Sequence, residues 1–207
     1  MSRTAEIERK TKETEIIIKL NIDGTGDAKI DYPLGFMTHM LNTFAKHGLF
    51  DIEVRAKGDL EVDQHHLVED TGIVLGQCFA KALADKRGIK RTGSCAFPMD
   101  ECLARAVVDL SGRPFLYFDA KFDAPILSSS NNEGEKSYEF QTNTIEDFWQ
   151  GFATAAGCNL HLEVLRGRSD HHKIEALFKA AARALRSACE FDERSKDQIP
   201  STKGVIV

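Results

Sequence analysis

His65-His66-Leu67-Val68-Glu69 and His171-His172-Lys173-Ile174-Glu175 are one five-residue pattern written twice, the second copy 106 residues after the first (171 − 65). Read outward from the two copies, the rest of the chain repeats as well. Residues 15–22 are β-branched and half alternating and stop at Asp23-Gly24-Thr25-Gly26, which predicts a strand running into a turn. Phe36, Met40, Leu41 and Phe44 then recur at helical spacing, with Gly48 just beyond, where a helix end favours glycine. A short strand at 52–56 closes at Lys57-Gly58-Asp59. The first His-His segment opens a second helix with Val68, Gly72, Leu75, Phe79 and Leu83 along one face. The second half follows the same plan: strands at 103–109 and 115–122, a polar loop at 128–137, a helix through Ile145, Phe148, Trp149 and Phe152, a strand at 160–164, and an Ala-rich helix at 174–189. The helix carrying His39 matches the helix carrying Asp147 (147 − 39 = 108). The order predicts an α+β fold: an internally duplicated unit whose two similar halves each pack a small sheet on one side against helices on the other. The whole chain, 1–207, reads as one domain, with repeats at roughly 8–95 and 96–192 and an extended tail at 193–207.

Composition narrows the function. The chain has 207 residues, 42% hydrophobic and 29% charged, which is enough for a real core and argues against disorder. Its apolar runs fall well short of a membrane span. A net charge of −5 sets nucleic-acid binding aside, yet a few convergent Arg and Lys are sufficient for a small phosphorylated substrate. Cys78, Cys95, Cys102, Cys158 and Cys189 are odd in number and widely spaced, as reduced thiols are. The first residues, Met1-Ser2-Arg3-Thr4-Ala5-Glu6, carry no apolar signal region and are too acidic and short for a transit peptide, so a cytoplasmic protein is expected, or a mature chain without its targeting segment.

The paired histidines carry the chemistry. Residues three or four apart share a helix face, so Glu69 can join His65 or His66 around an ion, and Glu175 can join His171 or His172. Adjacent histidines point roughly 100° apart, which gives neighbours to different ions. Two such helices imply two metal positions, built from both halves or from two subunits. A single His-His pair is more often a solvated cap than a ligand pair; its repetition at equivalent places favours ligation. Imidazole and carboxylate without cysteine suit Mn, Fe, Co or Zn rather than Ca. His47, beside Gly48, reads as a cation at a helix end, His161 as core or surface, and Arg91, Arg113 and Lys203 taken singly as ordinary surface charges.

Several uncommon segments occur in order: His39-Met40-Leu41, Lys46-His47-Gly48-Leu49-Phe50-Asp51, His65-His66 with Glu69-Asp70, Asp109-Leu110-Ser111-Gly112-Arg113-Pro114, His171-His172-Lys173-Ile174-Glu175-Ala176, Phe178-Lys179-Ala180 and Ser201-Thr202-Lys203-Gly204. Together they resemble the imidazoleglycerol-phosphate dehydratases of histidine biosynthesis over nearly the whole chain. The resemblance implies a ribosomal protein S5 domain 2-like fold and a homo-oligomer, a 24-mer with metals between subunits. It also implies two Mn²⁺ per active site, and dehydration of imidazole glycerol phosphate to imidazole acetol phosphate through a metal-stabilised imidazolate. By motif match, His39, His65, His66, Glu69, His171, His172 and Glu175 are metal ligands. His39, His65, His66, Glu69 and His171 also meet substrate, with Glu13, Arg91, Arg113, Lys179, Ser201 and Lys203. Glu175, Glu69 and Glu13 are the acid/base candidates. Two positions depart from the family pattern: Asp147 stands where a ligand His is common, and Thr38 where an Asp commonly precedes His39. Asp147 can still coordinate, and the Thr38 hydroxyl is expected to orient His39 less strongly than a carboxylate would.

Two rival readings use the same residues. A metal-stapled assembly protein gives no role to Glu13 and the basic residues, and a dinuclear phosphoester hydrolase would release inorganic phosphate, which a dehydratase leaves attached.

Overall fold

The computed structural model describes residues 3–129 and 138–206. The first half contains β1 (Thr4–Lys10), β2 (Thr14–Asn21), β3 (Ala28–Asp31), α1 (Gly35–Gly48), β4 (Asp51–Gly58) and α2 (His65–Leu83). The second contains β5 (Thr92–Met99), β6 (Cys102–Asp109), β7 (Phe115–Asp119), β8 (Ile126–Ser129), β9 (Tyr138–Gln141), α3 (Thr144–Ala156), β10 (Asn159–Arg166) and α4 (Asp170–Cys189). One sheet runs β1-β2-β4-β3, the other β5-β6-β10-β7, and in each the third-listed strand pairs antiparallel with the second and parallel with the fourth. The duplication read from the His-His segments is therefore a duplication of topology. β5 belongs wholly to the second sheet, so the halves divide before Thr92 and the first begins at β1, a few residues earlier at each boundary than the motifs suggested.

Five strands escape the sequence pattern for physical reasons. β1 (TAEIERK) and β3 (AKID) have only one or two aliphatic side chains each. β5 contains Gly93 and Pro98, residues that read as breakers but are tolerated on an edge strand. The two-stranded β8–β9 sheet covers part of the segment read as a loop: Ser128 and Ser129 are in β8, while residues 130–137 lie outside the described residues. β7 stops at Asp119, short of Phe122.

The four helices lie between the two sheets. α2 packs on β1, β2 and α3, and α4 packs on β5, β6 and α1, so each half meets the other helix to helix. Trp149, Phe44, Phe79, Phe148, Phe152 and Phe178 are fully buried in this common core. α2 and α3 approach almost backbone to backbone: a Cβ at Gly72 would collide with the Phe148 carbonyl oxygen, and one at Gly76 would lie 2.5 Å from that of Phe152. Close approach fixes the two helices axially and rotationally, which matters for what their first turns carry. At the end of α1 the sequence reading is corrected. Gly48 is the last helical residue, and Leu49 takes the left-handed conformation at φ 55°. Gly48 is needed for another reason, since the ring of Phe50 folds back over the space a Cβ would fill.

The start of α4 is held by a buried ion pair. Asp170 receives Lys173 Nζ at 2.8 Å and the backbone N–H groups of Asp123 and Ala124 at 2.8 and 2.7 Å. Burial pushes the Asp170 carboxyl up, but the hydrogen bonds from Lys173 and the two amides outweigh it and hold it below the ordinary 3.8. A depressed carboxyl contributes stability above its unfolded pKa and loses it as pH falls through the folded value, so this anchor should persist until the pH is below 3.8. Asp170→Asn is expected to destabilise by about 1–3 kcal/mol, because buried Lys173 loses its buried carboxylate partner and keeps only the exposed Asp123 carboxylate at 2.9 Å and the Lys121 carbonyl. Urea unfolding at neutral pH measures the loss, and a change under about 1 kcal/mol would show that the pair is not a buried anchor.

Candidate active site and metal centre

The helix pairing brings the predicted ligands into two groups. In the first, α1 supplies His39 and α4 supplies His171 and Glu175. The Nε2 atoms of both histidines lie 3.2 Å from Glu175 Oε2. His171 and Glu175 share a face of α4 at i,i+4, and Ser169 caps that helix by accepting the His172 N–H at 3.4 Å. Glu175 is buried, and its other oxygen takes Lys179 Nζ at 2.8 Å. Burial pushes this carboxyl up, but Lys179 and His39 more than compensate, and it lies below the ordinary range. The ring of Phe36 meets His171 edge-on at 5.1 Å, and Phe36, Phe140, His39 and His171 line a hollow of about 390 Å³.

The second group is the repeat counterpart, built from α2 and α3. His65 Nδ1 lies 3.1 Å from Asp147 Oδ2, and its Nε2 lies 3.7 Å from Glu69 Oε2. Both groups thus join one half to the other, one of the two arrangements the spacing allowed. The adjacent histidines meet different partners, as expected: His65 meets Asp147 and Glu69 while His66 meets Asp59, and His171 meets Glu175 while His172 meets Glu101.

The other member of each pair, His66 and His172, has a carboxylate partner that the motif reading missed. His66 Nδ1 lies 3.2 Å from both oxygens of Asp59, and His172 Nδ1 lies 2.8 Å from Glu101 Oε2. The Asp59 hydrogen bond raises the basicity of His66, with Glu13 adding to it from the exposed β1–β2 turn. Glu101 accepts the Ser169 and Arg168 amides as well as His172, and its carboxyl falls to about 2. One signal could have found it: Glu13 and Glu101 each stand immediately before the second strand of their half.

The cationic residues gather elsewhere. Arg91, Ser111, Arg113, Ser201, Thr202 and Lys203 line a cleft of about 410 Å³. Asp109 takes a bidentate pair of hydrogen bonds from Arg91, at 2.6 and 2.9 Å, and raises its basicity; Pro200 O accepts a third at 2.7 Å. Lys179 stays with Glu175 and does not reach this cleft.

Two smaller expectations change, and one left open, His161, is decided. Thr38 Oγ1 donates back to the carbonyls of Tyr32 and Leu34, at 3.3 and 3.2 Å, so it does not orient His39. His47 packs edge-on against Phe97 at 5.1 Å; burial, Lys179 and Arg183 lower its basicity, so it is not a helix-end cation. His161 lies on the outer face of β10 between Phe115 and Tyr117 and is a surface residue.

The first group fits a metal. One donor atom from each of His39, His171 and Glu175 lies within 4.8 Å of the others, the one such threesome among the described residues. Two imidazoles and a carboxylate suit a first-row divalent cation.

A family model for imidazoleglycerol-phosphate dehydratase matches residues 33–185. The chain belongs to that family. It is 54% identical over 204 residues to the imidazoleglycerol-phosphate dehydratase of Lacticaseibacillus casei and 52% identical over 204 residues to that of Thermoanaerobacter pseudethanolicus, with 99% of this chain and all of each relative covered. The crystal structure of the Staphylococcus aureus dehydratase superposes with a TM-score of 0.77 at 34% identity, covering 91% of this chain and 99% of that one. The structure from Pyrococcus furiosus, in complex with (S)-C348, gives 0.77 at 32% identity over 96% and 99%. Family membership makes the chain a hydro-lyase of histidine biosynthesis with the α+β fold seen here. Among the described residues no helix is long and apolar enough to cross a membrane.

Proposed function

We propose that the chain dehydrates imidazole glycerol phosphate to imidazole acetol phosphate with two divalent cations, Mn²⁺ by preference, in a cytoplasmic homo-oligomer. The observation that carries the metal part is the convergence of His39, His171 and Glu175, whose donor atoms fit one ion. His65 and Glu69 are one chain's donors for the other, and His66 and His172, each met by a carboxylate on Nδ1, are the histidine donors left for an ion shared with a second copy. A cation at these positions supplies positive charge that favours the deprotonated ring of a bound imidazole.

The rest of the work belongs to the chain's own side chains. The proton removed lies on a carbon with no adjacent carbonyl, so the imidazole ring must serve as the electron sink. Glu175, held ionised by Lys179, is the group to take that proton once the hydroxyl has left the adjacent carbon; Glu69 and the exposed Glu13 are the remaining acid/base candidates. Phe36 and Phe140 give the ring an apolar wall. Arg113, Lys203 and Ser201 suit the phosphate, with Arg91 fixed beside them by Asp109.

A length supports the oligomeric reading. Glu101, beside His172, and Asp109, beside Arg91, flank opposite ends of β6. Eight extended residues span roughly 25 Å, far more than a three-carbon chain bearing a ring and a phosphate. One molecule of substrate therefore cannot touch both groups of a single chain. This separation favours a site shared between copies, one bringing its phosphate cleft to the other's metal group; the number 24 rests on the family resemblance alone. Five unpaired cysteines, four of them buried, suit a reducing compartment.

Metal-stripped protein assayed with imidazole glycerol phosphate before and after Mn²⁺ addition tests the reading. Acetol phosphate product only with metal is the expected result; equal turnover without metal would remove the cation from the reaction.

A further inference from the structure

The duplicated sites differ in how they use their third residue. His39 and Asp147 occupy corresponding helices, yet they address their neighbours differently. In the α1–α4 group both imidazoles present Nε2 to the same oxygen of Glu175. In the α2–α3 group the two carboxylates take opposite nitrogens of one ring, Asp147 on Nδ1 and Glu69 toward Nε2. The lone pairs of an imidazole point away from each other, so one ion cannot be shared by groups on both sides of the ring. Asp147 sits behind His65.

The same arrangement recurs at His66 with Asp59 and at His172 with Glu101, each carboxylate on Nδ1. A carboxylate there accepts the Nδ1–H, fixes the tautomer and leaves Nε2 free to bind a metal. The contact does not depend on a mobile loop. Asp147 lies in the first turn of α3, where a negative charge is favoured, and α3 is set against α2 by the contacts at Gly72 and Gly76.

Building on the metal-dependent reading above, we infer that Asp147 is a positioning residue for His65 and not a metal ligand, so the two cation positions are unequal. One chain gives the first position two imidazoles and a carboxylate. It gives the second one imidazole and one carboxylate, His65 and Glu69, and no donor from α3.

The test is Mn²⁺ titration of the intact assembled protein, following the electron paramagnetic resonance signal of free Mn²⁺, for wild type, Asp147→Ala, Asp147→Asn and Glu69→Ala. Wild type should show two classes of site. Asp147→Ala should keep the number of bound ions but weaken one class by about 10–100-fold. Asp147→Asn, whose amide oxygen still accepts the Nδ1–H in the same volume, should recover most of that affinity. Glu69→Ala should lose the class. If Asp147→Asn loses it as fully as Glu69→Ala, Asp147 is a ligand and the inference fails; it fails equally if Asp147→Ala leaves both affinities unchanged. Wild-type protein that binds no Mn²⁺ at all would overturn the metal reading itself, and this inference with it.

Discussion

Glu175→Gln should lower kcat by about 10²–10⁴-fold at saturating Mn²⁺ while the protein stays folded. The expectation comes from how completely the carboxylate is positioned. Lys179 holds one oxygen, and His39 and His171 crowd the other at 3.2 Å, in a residue only 7% exposed. Glutamine keeps the volume and one acceptor oxygen but cannot take up a proton. Saturating metal separates proton transfer from metal loss, since a ligand defect is restored by mass action and a chemical one is not. Turnover near that of wild type would take Glu175 out of proton transfer. Glu69 is the comparison: its side chain is 41% exposed and lies 3.7 Å from His65, so it is less firmly aimed. A larger loss in Glu69→Gln than in Glu175→Gln would reverse the two assignments.

Arg113→Ala is expected to raise KM by about 10–100-fold with little change in kcat, the loss of one or two charge-assisted hydrogen bonds to a phosphate that does not react. Arg113 is a better probe than Arg91. Its Nη1 makes one long contact, 3.4 Å to the Ser111 carbonyl, and no carboxylate among the described residues holds it. Arg91 is committed to Asp109 and to the tail carbonyl of Pro200, so its removal would also loosen the cleft. An unchanged KM would dismiss the phosphate assignment. The same variant tests the shared site. Co-assembled with His171→Ala chains, Arg113→Ala chains should regain activity that neither has alone at low substrate, because some sites then combine an intact cleft with an intact metal group. No recovery would mean that each site lies within one chain.

The periodicity of buried aliphatics and the twice-written His-His-x-x-Glu pattern determined the duplication, the principal helices and the places of six of the seven anticipated ligands, the four paired histidines in the first turns of α2 and α4 and their glutamates in the next. These are local properties: a helix face is fixed by spacing of three and four, and a ligand pair on that face needs nothing beyond its own helix. The strands β1, β3 and β5 were not legible, because strand identity there rests on pairing with a neighbour rather than on side chains of their own. Which helix faces which was not legible either. Only the near contact of α2 and α3 backbones at Gly72 and Gly76, and the packing of α1 on α4, decided that His39 joins Glu175 while Asp147 joins His65. Sequence could place Asp147 opposite a histidine; it could not say which ring nitrogen the carboxylate would meet. That choice depends on helix rotation and separation, which the packing of glycines and aromatic side chains in the common core sets.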